Sequence, residues 1–303
     1  MEKDDLIKEI DQLRKLKQAV ILAHNYQPPE VQDIADFVGD SLELSIKAAR
    51  TEAKIILFCG VRFMAETAYI LSPDKTVLMP DRSAGCPLAD MIKPIELMEL
   101  KKEHPDAYVV CYVNSTAEIK ALSDFCCTSA NAIRVVEQVP SDEIIFVPDR
   151  NLGRFVSQFT QKSLILTDGY CYVHNDLTRE EVQGLKMAHP QAEFIAHPEC
   201  RDEVLDLADA VLSTSGMLRH AKQSENNEFI IGTETGLLYR LAKENPEKRF
   251  YPASDKMVCR NMKYSDLAKV RSSLLNVEFE VEVWEDVRER AYKAVQRMLE
   301  IVE

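Results

Sequence analysis

Three cysteines recur at matching positions in three related segments of this 303-residue chain. The segments open on the strand-like runs VILAHNY, VVCYVNS and FIAHPEC, and they close on Cys86, Cys171 and Cys259. The cysteines are 85 and 88 residues apart, and the segment starts are 88 and 85 residues apart. Internal repetition of this kind predicts three similar domains around a pseudo-threefold axis, where equivalent residues meet. We therefore expect the three thiols to form one metal site.

Polar residues with binding chemistry also recur in the three segments. Each first strand ends near a ring side chain, which is His24, Tyr112 or His197. Twelve residues after each ring comes an aspartate, Asp36, Asp124 or Asp209, which we assign to helix-end structure. Five residues further on comes a hydroxyl residue, Ser41, Ser129 or Thr214, and Ser213 is an alternative to Thr214 in the third segment. Each hydroxyl precedes a predicted helix, and free backbone N–H groups at a helix N-terminus bind carboxylate or phosphate. These positions predict a small polyanionic substrate held against the metal.

The cysteine pattern narrows the choice of metal centre. No CxxC pair is present, so a structural zinc site is not expected. Three thiolates can hold a catalytic zinc with one open position, or three corners of a [4Fe–4S] cluster whose fourth iron is free for substrate. An all-sulfur set from three domains beside anion sites favours the cluster, with its open iron acting as a Lewis acid in dehydration chemistry. The remaining cysteines are interpreted as structural: Cys59, Cys111, Cys126, Cys127 and Cys200.

The elements that must position these residues alternate between short apolar strands and amphipathic helices. Continuous apolar strands separated by helices are typical of parallel sheets covered on both faces. The predicted fold class is α/β, with three homologous three-layer αβα domains, each built on a roughly four-stranded parallel sheet. We expect domains at 1–88, 89–173 and 174–260, and a C-terminal segment 261–303 of helices and a strand (FEVEV) that packs back on the first domain.

Composition excludes several classes of protein. The net charge is −13, and no basic stripe is present to neutralise phosphates, so no nucleic-acid partner is expected. No apolar run approaches membrane-spanning length, and the acidic N-terminus lacks a signal-peptide core, so no membrane association is expected. Eight cysteines without a secretory signal are typical of a reducing compartment. We expect a cytoplasmic enzyme.

A series of motifs between residues 23 and 236 resembles one known family. In order, the chain reads AHNYQPPEVQDIADFVGDS, FMAET, YVNSTAEIKALSD, TSANA, PDRNLG, CYVH, HPEC and GTETG. Over essentially its whole length it resembles the quinolinate synthases. The resemblance implies condensation of iminoaspartate with dihydroxyacetone phosphate to quinolinate, a precursor of NAD, on an oxygen-sensitive [4Fe–4S] cluster. It implies cluster ligation by Cys86, Cys171 and Cys259, the same three residues that the repeat selects.

The resemblance also implies roles for residues around the cluster. Carboxylate and phosphate contacts are implied for His24, Ser41, Tyr112, Asn114, Ser129, His197 and Thr214, with His174 next to the cluster loop. Tyr26 and Glu199 match the residues that the family assigns to proton transfer, with His24 beside them. In a desolvated cleft, Glu199 is expected to have a raised pKa suited to moving protons. An aspartate oxidase or dehydrogenase that produces iminoaspartate is the expected functional partner.

One departure and two alternatives remain at this point. Some members of the family carry a CxxCxxC run near the last ligand, whereas Cys259 stands alone in MVCRNMK, so no disulfide switch is expected. The alternatives are a zinc-dependent lyase or aldolase on the same scaffold and a non-catalytic iron–sulfur sensor. Iron and sulfide content separates the zinc enzyme from the other two, and turnover of a carbonyl phosphate separates the enzymes from the sensor.

Overall fold

Three parallel four-stranded sheets form the framework of the protein. The structure is a computed structural model and describes residues 3–301. In the first sheet the spatial order is β2-β1-β3-β4, so the chain starts in the middle, moves to one edge and crosses back. Its elements are α1 (Lys3–Leu16), β1 (Ala19–His24), α2 (Pro29–Ile34), β2 (Phe37–Gly39), α3 (Ser41–Arg50), β3 (Ile55–Cys59), α4 (Arg62–Leu71) and β4 (Thr76–Leu78).

The second sheet repeats this order as β6-β5-β7-β8. Its central strands are buried, which explains their uninterrupted apolar sequences. A short 3₁₀ helix, Leu88–Asp90, leads from the first sheet into this unit. The elements are α5 (Pro94–Glu103), β5 (Tyr108–Tyr112), α6 (Ala117–Ala121), β6 (Phe125–Cys127), α7 (Ala132–Gln138), β7 (Glu143–Val147), α8 (Arg150–Ser157) and β8 (Ser163–Leu166).

The third sheet has the order β10-β9-β11-β12, which is again the same topology. The prediction of three similar α/β units with four parallel strands each is therefore confirmed. The elements are α9 (Tyr172–Asn175), α10 (Arg179–Ala188), β9 (Glu193–Ala196), α11 (Asp202–Leu205), β10 (Ala210–Val211), α12 (Thr214–Gln223), β11 (Glu228–Gly232), α13 (Leu237–Glu244) and β12 (Arg249–Pro252). A 3₁₀ helix, Arg260–Lys263, then leads to α14 (Leu267–Asn276) and α15 (Glu285–Glu300).

The three recurrent aspartates serve the sheets. Asp36 accepts the backbone N–H of Ile21 with its carboxylate, at 2.8 Å from N to Oδ2. In the same way, Asp124 and Asp209 accept the N–H groups of Val109 and Phe194, each at 2.8 Å. Each carboxylate therefore satisfies one N–H of a central strand just where the short edge strand begins. Their assignment as structural residues agrees with these contacts.

The two C-terminal helices pack on different units. Helix α14 packs against α1 and β3, and Arg271 bonds Glu9 at 2.6 Å. Helix α15, however, packs mainly on α6 and β6 of the second unit and also touches α4 of the first. The Asn131 side chain anchors it there by donating to the carbonyls of Met298 and Ile301, at 3.1 and 2.8 Å.

The predicted strand FEVEV does not form as a strand in the described chain. Glu280 makes one isolated antiparallel bridge with Leu78, at the edge of the first sheet. Val277 and Phe279 have positive φ angles of 53° and 62°, which break the extended conformation that a strand requires. Between residues 3 and 301, no helix has the length and apolarity needed to cross a membrane.

Candidate active site

The recurrent polar residues and the three cysteines line one cavity at the carboxyl ends of the central strands. Parallel α/β sheets bind ligands at this edge, because strand ends and helix N-termini meet there. Of the predicted site residues, only Ser213 is absent from the wall. The full lining is His24, Tyr26, Asp40, Ser41, Val61, Phe63, Met64, Cys86, Tyr112, Asn114, Thr128, Ser129, Cys171, Val173, His174, His197, Glu199, Thr214, Cys259 and Met262.

Helix capping explains which hydroxyl of the third unit faces the cavity. Ser213 is the N-cap of α12, and its side chain accepts the backbone N–H of Gly216 at 3.2 Å. Thr214, the first helical residue, lines the cavity and accepts an amide proton from Asn25 at 3.1 Å. The first unit has the same arrangement, because Asp40 caps α3 and Ser41 follows it. Of the two candidates, Thr214 is therefore the residue at the cavity.

The cysteine loops are fixed by a backbone hydrogen bond that recurs in all three units. In each unit, the donor is the backbone N–H of the third residue after β3, β7 or β11. The acceptor is the backbone carbonyl two residues before the cysteine. The pairs are Arg62 to Ala84 at 2.8 Å, Arg150 to Gly169 at 2.8 Å, and Thr235 to Met257 at 2.9 Å. Because the same bond holds each loop, the three cysteines enter the cavity in an equivalent way.

Buried carboxylates hold two of these loops a second time. Asp149 accepts the backbone N–H of Cys171, and Glu234 accepts that of Cys259, each at 3.1 Å. Lys263 neutralises Glu234, at 2.9 Å from Nζ to Oε1. Val61 occupies the equivalent position in the first unit, so the Cys86 loop lacks this second bond. Asp149 and Glu234 were not predicted from the sequence, although they occupy matching repeat positions.

The three cysteines differ from the other five in their surroundings. Cys86, Cys171 and Cys259 are partly exposed towards the cavity, whereas the remaining five are fully buried in the hydrophobic cores. Burial raises the pKa of the Cys86 thiol to about 12. Burial, and then the charges of Glu199 and the other two cysteines, raise the pKa of Cys171. The thiols therefore interact electrostatically, and binding of a metal centre would release their protons.

This donor set fits a multi-iron cluster. Three thiolates from three units are the ligands that leave one iron of a [4Fe–4S] cluster open. In the described residues, the three sulfur atoms do not all lie within 4.8 Å of one another, whereas a tetrahedral zinc ion with bonds of about 2.3 Å would bring them closer. One mixed group does meet this limit, and it consists of Cys171, His174 and Glu199.

The residues two positions after His24, Tyr112 and His197 carry three different functional groups. They are Tyr26, Asn114 and Glu199, and each lines the cavity. His24 and His197 each accept the backbone N–H of the residue two positions on through Nδ1, at 3.2 and 3.4 Å. For His24 this contact places the proton of the neutral imidazole on Nε2, whereas Nδ1 of His197 also lies 3.3 Å from Glu199 Oε2. In His197, Nε2 lies 3.1 Å from the Ser129 hydroxyl.

The charges in the cavity are set by burial and by one close group of side chains. Burial, and then Lys263 and His197, lower the pKa of His24 to about 3. Burial, and then Glu199, raise the pKa of Tyr26 well above its ordinary value. Burial also acts to raise the pKa of Glu199, but His174 at 2.7 Å and His197 at 3.3 Å outweigh it and lower that pKa. The expectation of a raised pKa for Glu199 was therefore wrong, because sequence could not show the two histidines beside it.

Several buried polar atoms of the cavity wall have no hydrogen-bond partner in the described protein. They include Asn114 Oδ1 and Glu199 Oε1. Such atoms are costly unless a ligand or water satisfies them. Two further residues that the sequence analysis missed complete the wall chemistry: Asp40, which lines the cavity, and Thr233, whose hydroxyl contacts both Tyr26 and His174. The cavity is thus prepared for a polar ligand.

Comparison with known proteins agrees with this architecture. The family model described as quinolinate synthetase A protein matches residues 8–300. The chain is 55% identical over 294 residues to a quinolinate synthase of Dehalococcoides mccartyi (strain CBDB1), which covers 97% of each chain. It is 52% identical over 301 residues to quinolinate synthase 2 of Methanosarcina acetivorans, covering 99% of this chain and 97% of the relative. It is 53% identical over 297 residues to a quinolinate synthase of Thermodesulfovibrio yellowstonii, covering 98% of each. The chain belongs to the quinolinate synthetase A family.

Proposed function

We propose that this protein is a quinolinate synthase that condenses iminoaspartate with dihydroxyacetone phosphate, releasing inorganic phosphate and two water molecules, as a step in NAD biosynthesis. The observation that carries the proposal is the convergence of three cysteines and three recurrent hydroxyls, two of which begin helices, on one cavity. A dicarboxylate and a phosphate ester both need anion contacts, and both must reach a single reactive centre. A binding module would not need the buried phenol and carboxylate of Tyr26 and Glu199 beside that centre.

In this proposal, Cys86, Cys171 and Cys259 hold a [4Fe–4S] cluster. When bound, the cluster supplies an open iron that acts as a Lewis acid on a substrate hydroxyl or carboxylate. The backbone bonds that fix the three loops hold the cysteines ready for it. Because the cavity lies at the meeting point of the units, all three must be folded and docked for the ligand set to exist.

The anion contacts are assigned to the recurrent positions. Ser41 and Thr214 begin α3 and α12, where free backbone N–H groups and a hydroxyl can bind one carboxylate or phosphate. His24 is neutral with a proton on Nε2, so it can donate one hydrogen bond without repelling a cationic imine, and His197 lines the same cavity. The remaining contacts are assigned to Tyr112, Asn114 and Ser129, which line the same wall.

Proton transfer is assigned to Tyr26 and Glu199. Glu199 is held as a carboxylate by His174 and His197, so it can accept a proton during enol and imine formation. Tyr26 retains its proton, because its pKa is raised, and so it can donate a hydrogen bond or a proton to a leaving oxygen. The two groups thus offer a base and an acid in one buried site.

The proposal extends to organisation and partners. We assign the domains to residues 1–88, 89–173 and 174–260, with 261–303 as a C-terminal segment, and we place the enzyme in the cytoplasm. Iminoaspartate is a reactive imine that hydrolyses in water. An enzyme that oxidises aspartate, either an oxidase or a dehydrogenase, must therefore supply it close to this protein.

The deciding experiment is anaerobic purification followed by iron and sulfide analysis and a quinolinate assay. We expect about four irons and four sulfides per chain and formation of quinolinate from the two substrates. The matched control is Cys86→Ser, which removes one cluster ligand and leaves the anion positions intact. An iron-loaded protein that forms no quinolinate would contradict the proposal and would favour an iron–sulfur sensor.

The mixed group of Cys171, His174 and Glu199 supports a second candidate, a mononuclear zinc enzyme of the lyase or aldolase type. Sulfur, imidazole and carboxylate donors within 4.8 Å of one another are a suitable zinc set. The same purification separates the candidates. A colourless, iron-free protein with one zinc per chain, lost in His174→Ala and kept in Cys86→Ser, would favour the zinc enzyme.

A further inference from the structure

A completely buried lysine lies behind the cavity wall of the second unit. Lys120 belongs to α6 and is one of the largest side chains that are fully buried. Its ammonium group donates a hydrogen bond to the backbone carbonyl of Ser115 and faces the Phe63 ring, with 5.4 Å between Nζ and the ring centroid. Phe63 lines the cavity, whereas Lys120 does not. The lysine therefore supports the wall from behind.

The carbonyl that Lys120 holds belongs to a turn with two predicted substrate contacts. This turn follows β5 and brings Tyr112 and Asn114 to the cavity. Ser115 is fully buried and closes the turn, because its hydroxyl donates to the Tyr112 carbonyl and its N–H donates to the Val113 carbonyl, each at 2.8 Å. The bond from Lys120 then ties the closed turn to α6. The position of the turn therefore depends on Lys120.

The first unit has the same bond with a different donor. Gln32 occupies the repeat position of Lys120, and its Nε2 donates to the carbonyl of Gln27 at 2.8 Å. Gln27 is the repeat equivalent of Ser115, since each lies three residues after the end of its central strand. In both units, a buried side chain five residues further along the chain holds this carbonyl. An uncharged amide is sufficient for the bond in the first unit.

The third unit shows that the fold does not require a donor at this position. The equivalent residue is Leu205, which has no hydrogen-bonding group in its side chain, yet the sheet has the same topology. A lysine is almost never fully buried without a partner, because its charge loses hydration. Features that cost stability and that the fold does not need are expected at functional sites. We therefore relate Lys120 to the cavity wall that it supports.

We propose that Lys120 is a positioning residue for substrate binding, which holds the turn after β5 so that Tyr112 and Asn114 face the substrate. The inference rests on the function proposed above, in which these two residues contact carboxylate or phosphate groups. Asn114 Oδ1 has no partner in the described protein, so the turn sets the direction of this atom. Without the bond from Lys120 the turn gains freedom, and ordering it costs part of the free energy of binding.

The test compares Lys120→Met with Lys120→Gln in the iron-loaded enzyme. Methionine keeps most of the side-chain length and removes the donor, so we expect KM to rise about tenfold with kcat within about threefold of wild type. Glutamine copies the donor of the first unit and should keep KM within about threefold of wild type. The dissociation constant of quinolinate, measured by calorimetry, is a readout without turnover and should follow KM.

Lys101→Met is the matched control. Lys101 also donates from Nζ to a backbone carbonyl of the second unit, that of Leu122 at 2.7 Å, but it lies outside the cavity wall. This variant should leave KM and the dissociation constant unchanged. Iron content identifies any misfolded variant. If Lys120→Met does not bind iron, Lys120→Leu copies the residue of the third unit and provides a second donor-free protein.

Four outcomes would overturn the positioning role. They are unchanged affinity in the iron-loaded donor-free protein, a loss confined to kcat, an equal rise of KM in Lys120→Gln, and an equal rise in Lys101→Met. Failure of both donor-free proteins to bind iron would overturn it as well, because Lys120 would then serve folding alone. If the wild-type protein makes no quinolinate, the proposed function fails. If it does and Lys120→Met binds substrate normally, only the positioning role fails.

Discussion

His174 and Glu199 lie side by side in the cavity, with 2.7 Å between Nδ1 and Oε2, and both are almost completely buried. They come from different elements, since His174 is on α9 and Glu199 follows β9. A buried carboxylate without such a neighbour would be protonated at neutral pH. The contact therefore favours the ionised form of Glu199 in a buried site, which is the form that the proposed role as a base requires.

The first prediction concerns Tyr26 and Glu199, to which we assign proton transfer. Glu199→Gln and Tyr26→Phe should each reduce quinolinate formation at least about 1,000-fold, because each removes an acid–base group while nearly preserving its shape. Iron content and the cluster absorption spectrum should match those of wild type. Loss of the cluster, or activity near the wild-type level, would show that the residue has another role.

A second prediction separates cluster ligands from structural cysteines. Changing Cys86, Cys171 or Cys259 to Ser should remove bound iron and activity, because the cluster would lack one thiolate. Cys200→Ser should keep the iron, since Cys200 is fully buried and its thiol lies 3.6 Å from the Gly232 carbonyl. The same holds for Cys59, Cys111, Cys126 and Cys127. Iron per chain across the eight variants is the measurement, and an empty site in Cys200→Ser with a full one in Cys171→Ser would refute the assignment.

Neighbouring residues at the start of α12 allow a matched pair of substitutions. Thr214→Val should raise KM about tenfold, because it removes a hydroxyl from the proposed anion site while leaving the helix cap. Ser213→Ala should lower the free energy of unfolding by about 1 kcal/mol through loss of the N-cap, with KM unchanged. The measurements are steady-state kinetics and chemical denaturation. The opposite pattern would mean that Ser213 binds the substrate.

The depressed pKa of His24 predicts a pH-dependent stability in the cluster-free protein. The unfolded chain binds a proton near pH 6.5, whereas burial lowers the pKa in the folded state to about 3. Between these pH values the unfolded chain binds more protons than the folded protein does. The contribution of His24 to the free energy of unfolding is therefore fully present above pH 6.5 and is lost as the pH falls towards 3. The slope is about 1.4 kcal/mol per pH unit, which corresponds to about 2 kcal/mol between pH 6.5 and 5.

Denaturation of wild type and His24→Gln at both pH values measures this contribution. The variant should show a weaker pH dependence by about that amount, whatever its stability at neutral pH. Identical pH dependence in wild type and His24→Gln would contradict the prediction.

The last prediction tests the anchor of the C-terminal helix. Asn131→Ala leaves the carbonyls of Met298 and Ile301 without their donor and should lower the free energy of unfolding by about 1–3 kcal/mol. Limited proteolysis should cut within α15 sooner than in wild type. Gln296→Ala, on the exposed face of the same helix, serves as the control. Equal cleavage rates in both variants would show that the apolar contacts alone hold α15.

The amino-acid sequence by itself determined the repeat, and with it the three sheets, the cysteine set and most of the cavity wall. This was possible because equivalent strand ends in repeated α/β units lie at one edge, so that spacing along the chain identifies Cys86, Cys171 and Cys259 as a set. It could not distinguish Ser213 from Thr214, because one residue of helical rotation decides which hydroxyl caps the helix and which faces the ligand.

Tertiary structure decided the contacts between units. The lowered pKa of Glu199 depends on His174 and His197, and the Tyr26 hydroxyl lies 2.6 Å from that of Thr233 in the third unit. The placement of α15 on the second unit depends on Asn131 and on the left-handed residues that precede the helix. Such effects depend on distances of about 3 Å between residues far apart along the chain, and only docking of the folded units sets these distances.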